Sequence, residues 1–104
     1  QGGRTEMKIL AYDYTIRAAA TPIIDLKNMG AHDSIGLTIT ICTFMLQQHQ
    51  ESTMIHEIIE SVNWQLGLGL EEQKILSLEV GIYSALCNAG VDLHPLMREL
   101  EEGK

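Results

Sequence analysis

The stretch Thr53-Met54-Ile55-His56-Glu57-Ile58-Ile59-Glu60-Ser61 carries an imidazole and two carboxylates at a spacing one residue removed from H-E-x-x-H. On a helix, H-E-x-x-H presents two zinc ligands one turn apart with a general base beside them. Here Glu60 stands where the second histidine would be. At about 100° per residue, His56 and Glu60 share one helical face, so both can reach one ion. Glu57 points to one side of the pair, where a water on that ion would come within reach of its carboxylate, and it is the candidate general base. Taken alone, the same three residues also read as the solvated border of an amphipathic helix.

A second carboxylate shifts that balance. In the segment from Glu71 to Asn88, Ile75, Leu76, Ile82, Tyr83 and Leu86 fall within about 60° of one direction, with Glu79 at its centre. A carboxylate in the middle of a core-facing stripe is costly to bury unless it is protonated, paired or bound to a cation. An ion held by His56 and Glu60 on the preceding helix would supply that charge, so Glu79 is the candidate third ligand. A salt bridge to Lys74 or Arg98 would serve as well, and the residues leave both readings open.

These side chains need a scaffold, and the periodicity outlines one. Lys8 to Arg17 reads as a strand with Leu10, Tyr12, Tyr14 and Ile16 on one side, and Gly36 to Cys42 as a clearer one with Leu37, Ile39 and Ile41 against Thr38 and Thr40. Pro22 to Met29 fits a short strand or a turn. From about Leu46 to Trp64 the period becomes helical, with Ile55, Ile58, Ile59, Val62 and Leu66 as the apolar stripe, and Gly67 and Gly69 end it. A second helix runs from about Glu71 to Asn88, stopped by Gly90, and a short third can follow Pro95. Strands followed by helices predict an α+β fold: a small antiparallel or mixed sheet with the helices packed on one face.

The 104 residues form a single domain by size, with 1–6 expected to be disordered or an expression remnant. No apolar run approaches the roughly 20 residues that span a bilayer, and no export signal is visible, so a cytoplasmic protein without membrane contact is expected. A net charge of −7 with seven scattered Lys and Arg residues excludes a nucleic-acid binder. Cys42 and Cys87 lack zinc-knuckle spacing and read as buried thiols. Trp64 and Tyr83 read as core aromatics, although Tyr83, one turn after Glu79, can also hydrogen-bond the site. His49 reads as solvent-facing, His32 as part of a turn, and His94 as a weak further ligand candidate.

The segment from Thr38 through Tyr83, with STMIHEIIES at its centre, resembles small zincin-like metallopeptidases of bacteriophages and prophages, among which H-E-x-x-E occurs. More distantly, Glu79-Val80-Gly81-Ile82-Tyr83 resembles the E-A-N-x-F helix of the ImmA/IrrE metallopeptidases, whose glutamate is the third zinc ligand. The resemblance implies His56, Glu60 and Glu79 as metal ligands and Glu57 as base. It also implies that the strand before the active helix, here Leu37, Thr38, Ile39, Thr40 and Ile41, pairs with an extended peptide substrate.

One His and two Glu bring two negative charges to a Zn²⁺ against one for His₂Glu. The ion is then a poorer Lewis acid, and the site also suits Mn²⁺ or Fe²⁺. Two functions therefore compete: a zinc peptidase, and a non-catalytic zincin scaffold that binds a phage or host protein. The sequence names neither a partner nor an oligomeric state.

Overall fold

Alternating apolar and polar residues on Tyr14–Arg17 and Thr38–Ile41 bury Tyr14, Ile16, Ile39 and Ile41 completely on one side of a sheet and leave threonines and Arg17 on the other. The computed structural model describes residues 4–19, 30–43 and 46–93. Its elements are β1 (Arg4–Ile9), β2 (Tyr12–Ala19), β3 (Gly30–Asp33), β4 (Thr38–Cys42), α1 (Gln47–Leu66) and α2 (Glu72–Asn88). The four strands form one mixed sheet in the order β1-β2-β4-β3, with β2 and β4 parallel and the other two pairs antiparallel. The fold is α+β, as the sequence pattern predicts.

Helix α1 covers the apolar face of this sheet. Met54 joins Ile9, Tyr14, Ile16, Ile39 and Ile41 in the core, with Ile58, Val62 and Leu37 packed around them. Each such aliphatic side chain contributes about 1.5–3 kcal/mol on burial. The buried line of α1 is Gln50, Met54, Ile55, Glu57 and Ser61. It is rotated from the expected stripe: Leu66 is exposed, and Glu57 faces the protein interior. Helix α2 packs against α1 alone among the described elements, where a place on the sheet was expected. Its two-helix layer leaves Leu76, Leu78, Val80 and Ile82 exposed. Among the described residues no helix is long and apolar enough to cross a membrane.

Several local expectations are corrected. The single strand expected over Lys8 to Arg17 is a hairpin, with Ile9 opposite Tyr12 and only Leu10 and Ala11 between them. Leu10 takes φ 54°, a left-handed conformation that costs a non-glycine residue roughly 1–2 kcal/mol. The Gln65 side chain supports the turn by donating to the Ile9 carbonyl at 2.7 Å and accepting from the Ala11 amide at 3.1 Å. Of residues 1–6, expected to lie outside the fold, Arg4, Thr5 and Glu6 belong to β1, paired with Arg17, Ile16 and Thr15.

His32 is on strand β3 rather than in a turn, and its Nε2 meets the Tyr14 hydroxyl at 2.7 Å. Burial lowers its pKa against the opposing charge of Asp33, which favours the neutral ring. Trp64 is exposed, with its ring centroid 6.0 Å from that of His32 and 5.7 Å from that of Tyr12 in tilted contacts, and is not a core residue. Cys42 is buried as expected, but Cys87 is exposed. His49 faces solvent. Pro22 to Met29, His94, Arg98 and the segment after Pro95 lie outside the described residues.

Candidate metal centre

The helical hairpin that builds the centre is set by its turn. Gly67 ends α1 at φ 61°, where a side chain would be strained, and its amide returns to the carbonyls of Asn63 and Trp64. The Asn63 side chain then holds Leu70 at both backbone groups: the Leu70 amide donates to Oδ1 at 2.9 Å, and Nδ2 donates to the Leu70 carbonyl at 3.4 Å. This clamp starts α2 at Glu72, directly opposite Glu60 and His56. At the other end the Tyr83 hydroxyl donates to Glu51 at 2.8 Å, so the two helices run antiparallel in one register. Tyr83 therefore bonds Glu51, the neighbour of the site, and not a ligand candidate.

His56 is the hub. Its Nε2 lies 3.4 Å from Glu60 Oε2 and 3.1 Å from Glu72 Oε2, while Nδ1 lies 2.9 Å from Glu79 Oε1. Ligand atoms of His56, Glu60 and Glu72 all fall within 4.8 Å of one another, a group that can hold a metal ion. Tetrahedral bonds of about 2.0–2.1 Å separate neighbouring donors by roughly 3.3 Å. The two Nε2 distances bracket that value. The donor set, one imidazole and two carboxylates, suits zinc and also harder divalent ions.

Of the predicted residues, His56 and Glu60 thus come together as expected. Glu79 is also at the hub, but on the opposite ring nitrogen, where it also accepts a hydrogen bond from the Ser52 hydroxyl. Lys74 is not among these partners of Glu79. The residue that sequence reasoning missed is Glu72. It is 63% exposed and stands at the first position of α2, outside the apolar stripe. The available signal was its place just after the Gly67-Leu68-Gly69 turn, where an antiparallel hairpin returns the chain to His56 and Glu60.

Four carboxylates around one imidazole strain the electrostatics. Burial pulls the His56 pKa down, but the hydrogen bond to Glu79 and the charges of Glu57, Glu72 and Glu79 together raise it. Glu60 is raised by burial and then by the adjacent Glu72, with His56 opposing. Glu57, 6% exposed, is pushed up to about 7 by burial, against His56 and with Glu60, Glu72 and Glu79. The surrounding carboxylates that raise His56 favour added positive charge, whereas burial, the largest cause at Glu57 and Glu60, favours their uncharged forms.

Glu57 reaches the sheet at Gly30. A Cβ added there would lie 2.9 Å from Glu57 Oε2 and 2.5 Å from Thr53 Cγ2. Gly30→Ala is therefore expected to lower stability by about 1–3 kcal/mol and to move the Glu57 carboxyl, since overpacking forces neighbours off their rotamers. A fall in the urea midpoint with an unchanged m-value checks the first part, and an unchanged midpoint would refute the contact.

The strand expected to pair with peptide is corrected by the topology. Leu37 precedes β4, and Thr38, Ile39, Thr40 and Ile41 are bonded on both sides, to β2 and to β3, so their backbone groups are already used. Strand β3 is one of the two sheet edges, paired with β4 on one side among the described residues, and Gly30 places it against Glu57. The chain matches no family model, no curated protein and no solved structure, so its function is read from the His56 centre itself.

Proposed function

We propose that the protein is a zinc-dependent peptide hydrolase of minimal zincin type, with His56, Glu60 and Glu72 as metal-holding residues and Glu57 as general base. The observation that carries this is the convergence of two carboxylates on His56 Nε2 at the spacing of ligands around one ion. When bound, the ion supplies Lewis acidity. Glu57 would supply the proton acceptor: burial pushes its carboxyl up to about 7 without an ion, and a nearby cation would favour the ionised, basic form. Glu72 is exposed, so the centre is open to solvent and to substrate on the α2 side. An extended peptide pairing with the outer side of β3 would pass Gly30 and so reach Glu57.

A second reading, a metal-binding scaffold without catalysis, is favoured by the exposed Leu76, Leu78, Val80 and Ile82 on α2, which suit contact with a protein partner. Elemental analysis of protein purified without chelator tests what both readings share. About one equivalent of Zn, Mn or Fe is expected in the unmodified protein and well under half in Glu72→Gln, as loss of a ligand weakens binding. Less than about a tenth of an equivalent in the unmodified protein, with no thermal stabilisation by those ions, would overturn the metal centre.

A further inference from the structure

We infer that Glu79, held by Ser52, is a positioning residue that fixes His56 as the Nδ1–H tautomer and so presents the Nε2 lone pair to the space between Glu60 and Glu72. A neutral imidazole has one donor nitrogen and one acceptor nitrogen, and only the acceptor can ligate. Which nitrogen is which follows from the partner of the other. The Glu79 carboxylate is acceptor-only, lies 2.9 Å from Nδ1, and is largely buried, as is the ring. Its tilt is fixed by the Ser52 hydroxyl, which sits one helical turn before His56 on the same helix and donates to the other carboxylate oxygen. Ser52, Glu79 and His56 thus form a chain in which each group has one orientation. The reversed tautomer would donate to Glu72 at 3.1 Å or Glu60 at 3.4 Å, but Glu72 is 63% exposed and screened by water, whereas Glu79 is closer, more buried and held by Ser52, so a lone pair set against Glu79 is the costlier arrangement.

The residue that stripe periodicity marks as a third ligand therefore acts through the histidine. Carboxylate partners of ligating histidines typically contribute about 10–100-fold in metal affinity, by raising ligand basicity and restricting the ring. This consequence rests on the proposed metal centre, whereas the tautomer does not. The two can fail separately.

Long-range ¹H–¹⁵N correlation spectra of the metal-free protein, recorded above the raised pKa of His56, read the tautomer directly. The unmodified protein should show His56 protonated at Nδ1. Glu79→Ala should shift the ring toward an Nε2–H mixture, Ser52→Ala should shift it less, and Glu79→Gln, whose amide oxygen still accepts, should largely restore Nδ1–H. Zinc affinity by chelator competition should fall about 10–100-fold in Glu79→Ala and less in Glu79→Gln. The Co²⁺ absorption spectrum should keep its band positions and intensity in Glu79→Gln. An Nε2–H tautomer in the unmodified protein, or a tautomer indifferent to both Glu79→Ala and Ser52→Ala, overturns the inference. A Co²⁺ spectrum in Glu79→Gln showing a lost ligand also overturns it, by making Glu79 a ligand. A tautomer that follows Glu79 in a protein taking up no zinc sustains the inference and sinks the metal centre.

Discussion

Replacing Glu57 by glutamine is expected to abolish hydrolysis and to stabilise the metal-free protein at the same time. Removing a general base typically costs about 10²–10⁴-fold in rate. The structural effect runs the other way. Glu57 is buried, and its carboxyl titrates near 7 in the folded protein against an ordinary 4.5. Between those values the folded state holds a proton that the unfolded state has released, so stability falls as pH rises through the window, by up to about 3 kcal/mol at pH 8. His56 adds to the same trend: its pKa is raised, so its contribution is complete below about 6.5 and is lost as pH rises through the folded value. The metal-free protein should therefore melt higher at pH 5.5 than at pH 8. Glu57→Gln should flatten that slope and raise the pH 8 melting temperature by up to about 12–24 °C, given roughly 4–8 °C per kcal/mol for a domain of this size. Thermal melts across pH check the slope, and peptide cleavage at unchanged metal content checks the chemistry. Cleavage that survives the substitution would remove Glu57 from the role of base and favour the scaffold reading.

Adding zinc to the chelator-treated protein should raise its melting temperature more than any point substitution. A ligand bound only by the folded state stabilises by about 4 kcal/mol at a thousand times its Kd, equivalent to roughly 15 °C or more here. The gain should grow with pH, because the imidazole must be neutral and the carboxylates ionised before they can ligate. Zinc thus reverses the pH trend of the metal-free protein. His56→Ala and Glu72→Gln should lose most of the shift, whereas Glu71→Gln, one residue away at the cap of α2 and not among the donors, should retain it. Equal shifts in Glu71→Gln and Glu72→Gln would show that zinc binds elsewhere.

Much of this site was legible because helices repeat regularly. The one-turn spacing of His56 and Glu60 needed only the helical angle, and the apolar stripe of α2 pointed to Glu79 as a buried carboxylate requiring a partner. Glu79 has one in His56, but periodicity could not say which ring nitrogen it meets, since that depends on the register between two helices. The register is set by Asn63 bonding Leu70, a contact made by one polar side chain with no periodic signature. Glu72 was invisible for the same reason. The sheet was legible in its buried strands but not at its ends. The hairpin at Leu10 and Ala11 lacks Gly, Asn or Asp, and its strained turn is stabilised from a distance by Gln65. Strand β3, Gly-Ala-His-Asp, is short and lacks β-branched residues, so local propensity gave no reason to place an edge beside Glu57.

The Asn63 clamp has a further consequence for how the centre assembles. All three donors and the clamp lie within one helical hairpin, so an ion that joins Glu60 to Glu72 closes only a short loop, and most of that closure entropy is already spent when Asn63 captures Leu70. An ion held there would find its donors preassembled rather than gathering them. Affinity for such an ion would be set less by the strength of any one carboxylate than by how rarely a single asparagine lets go of the turn.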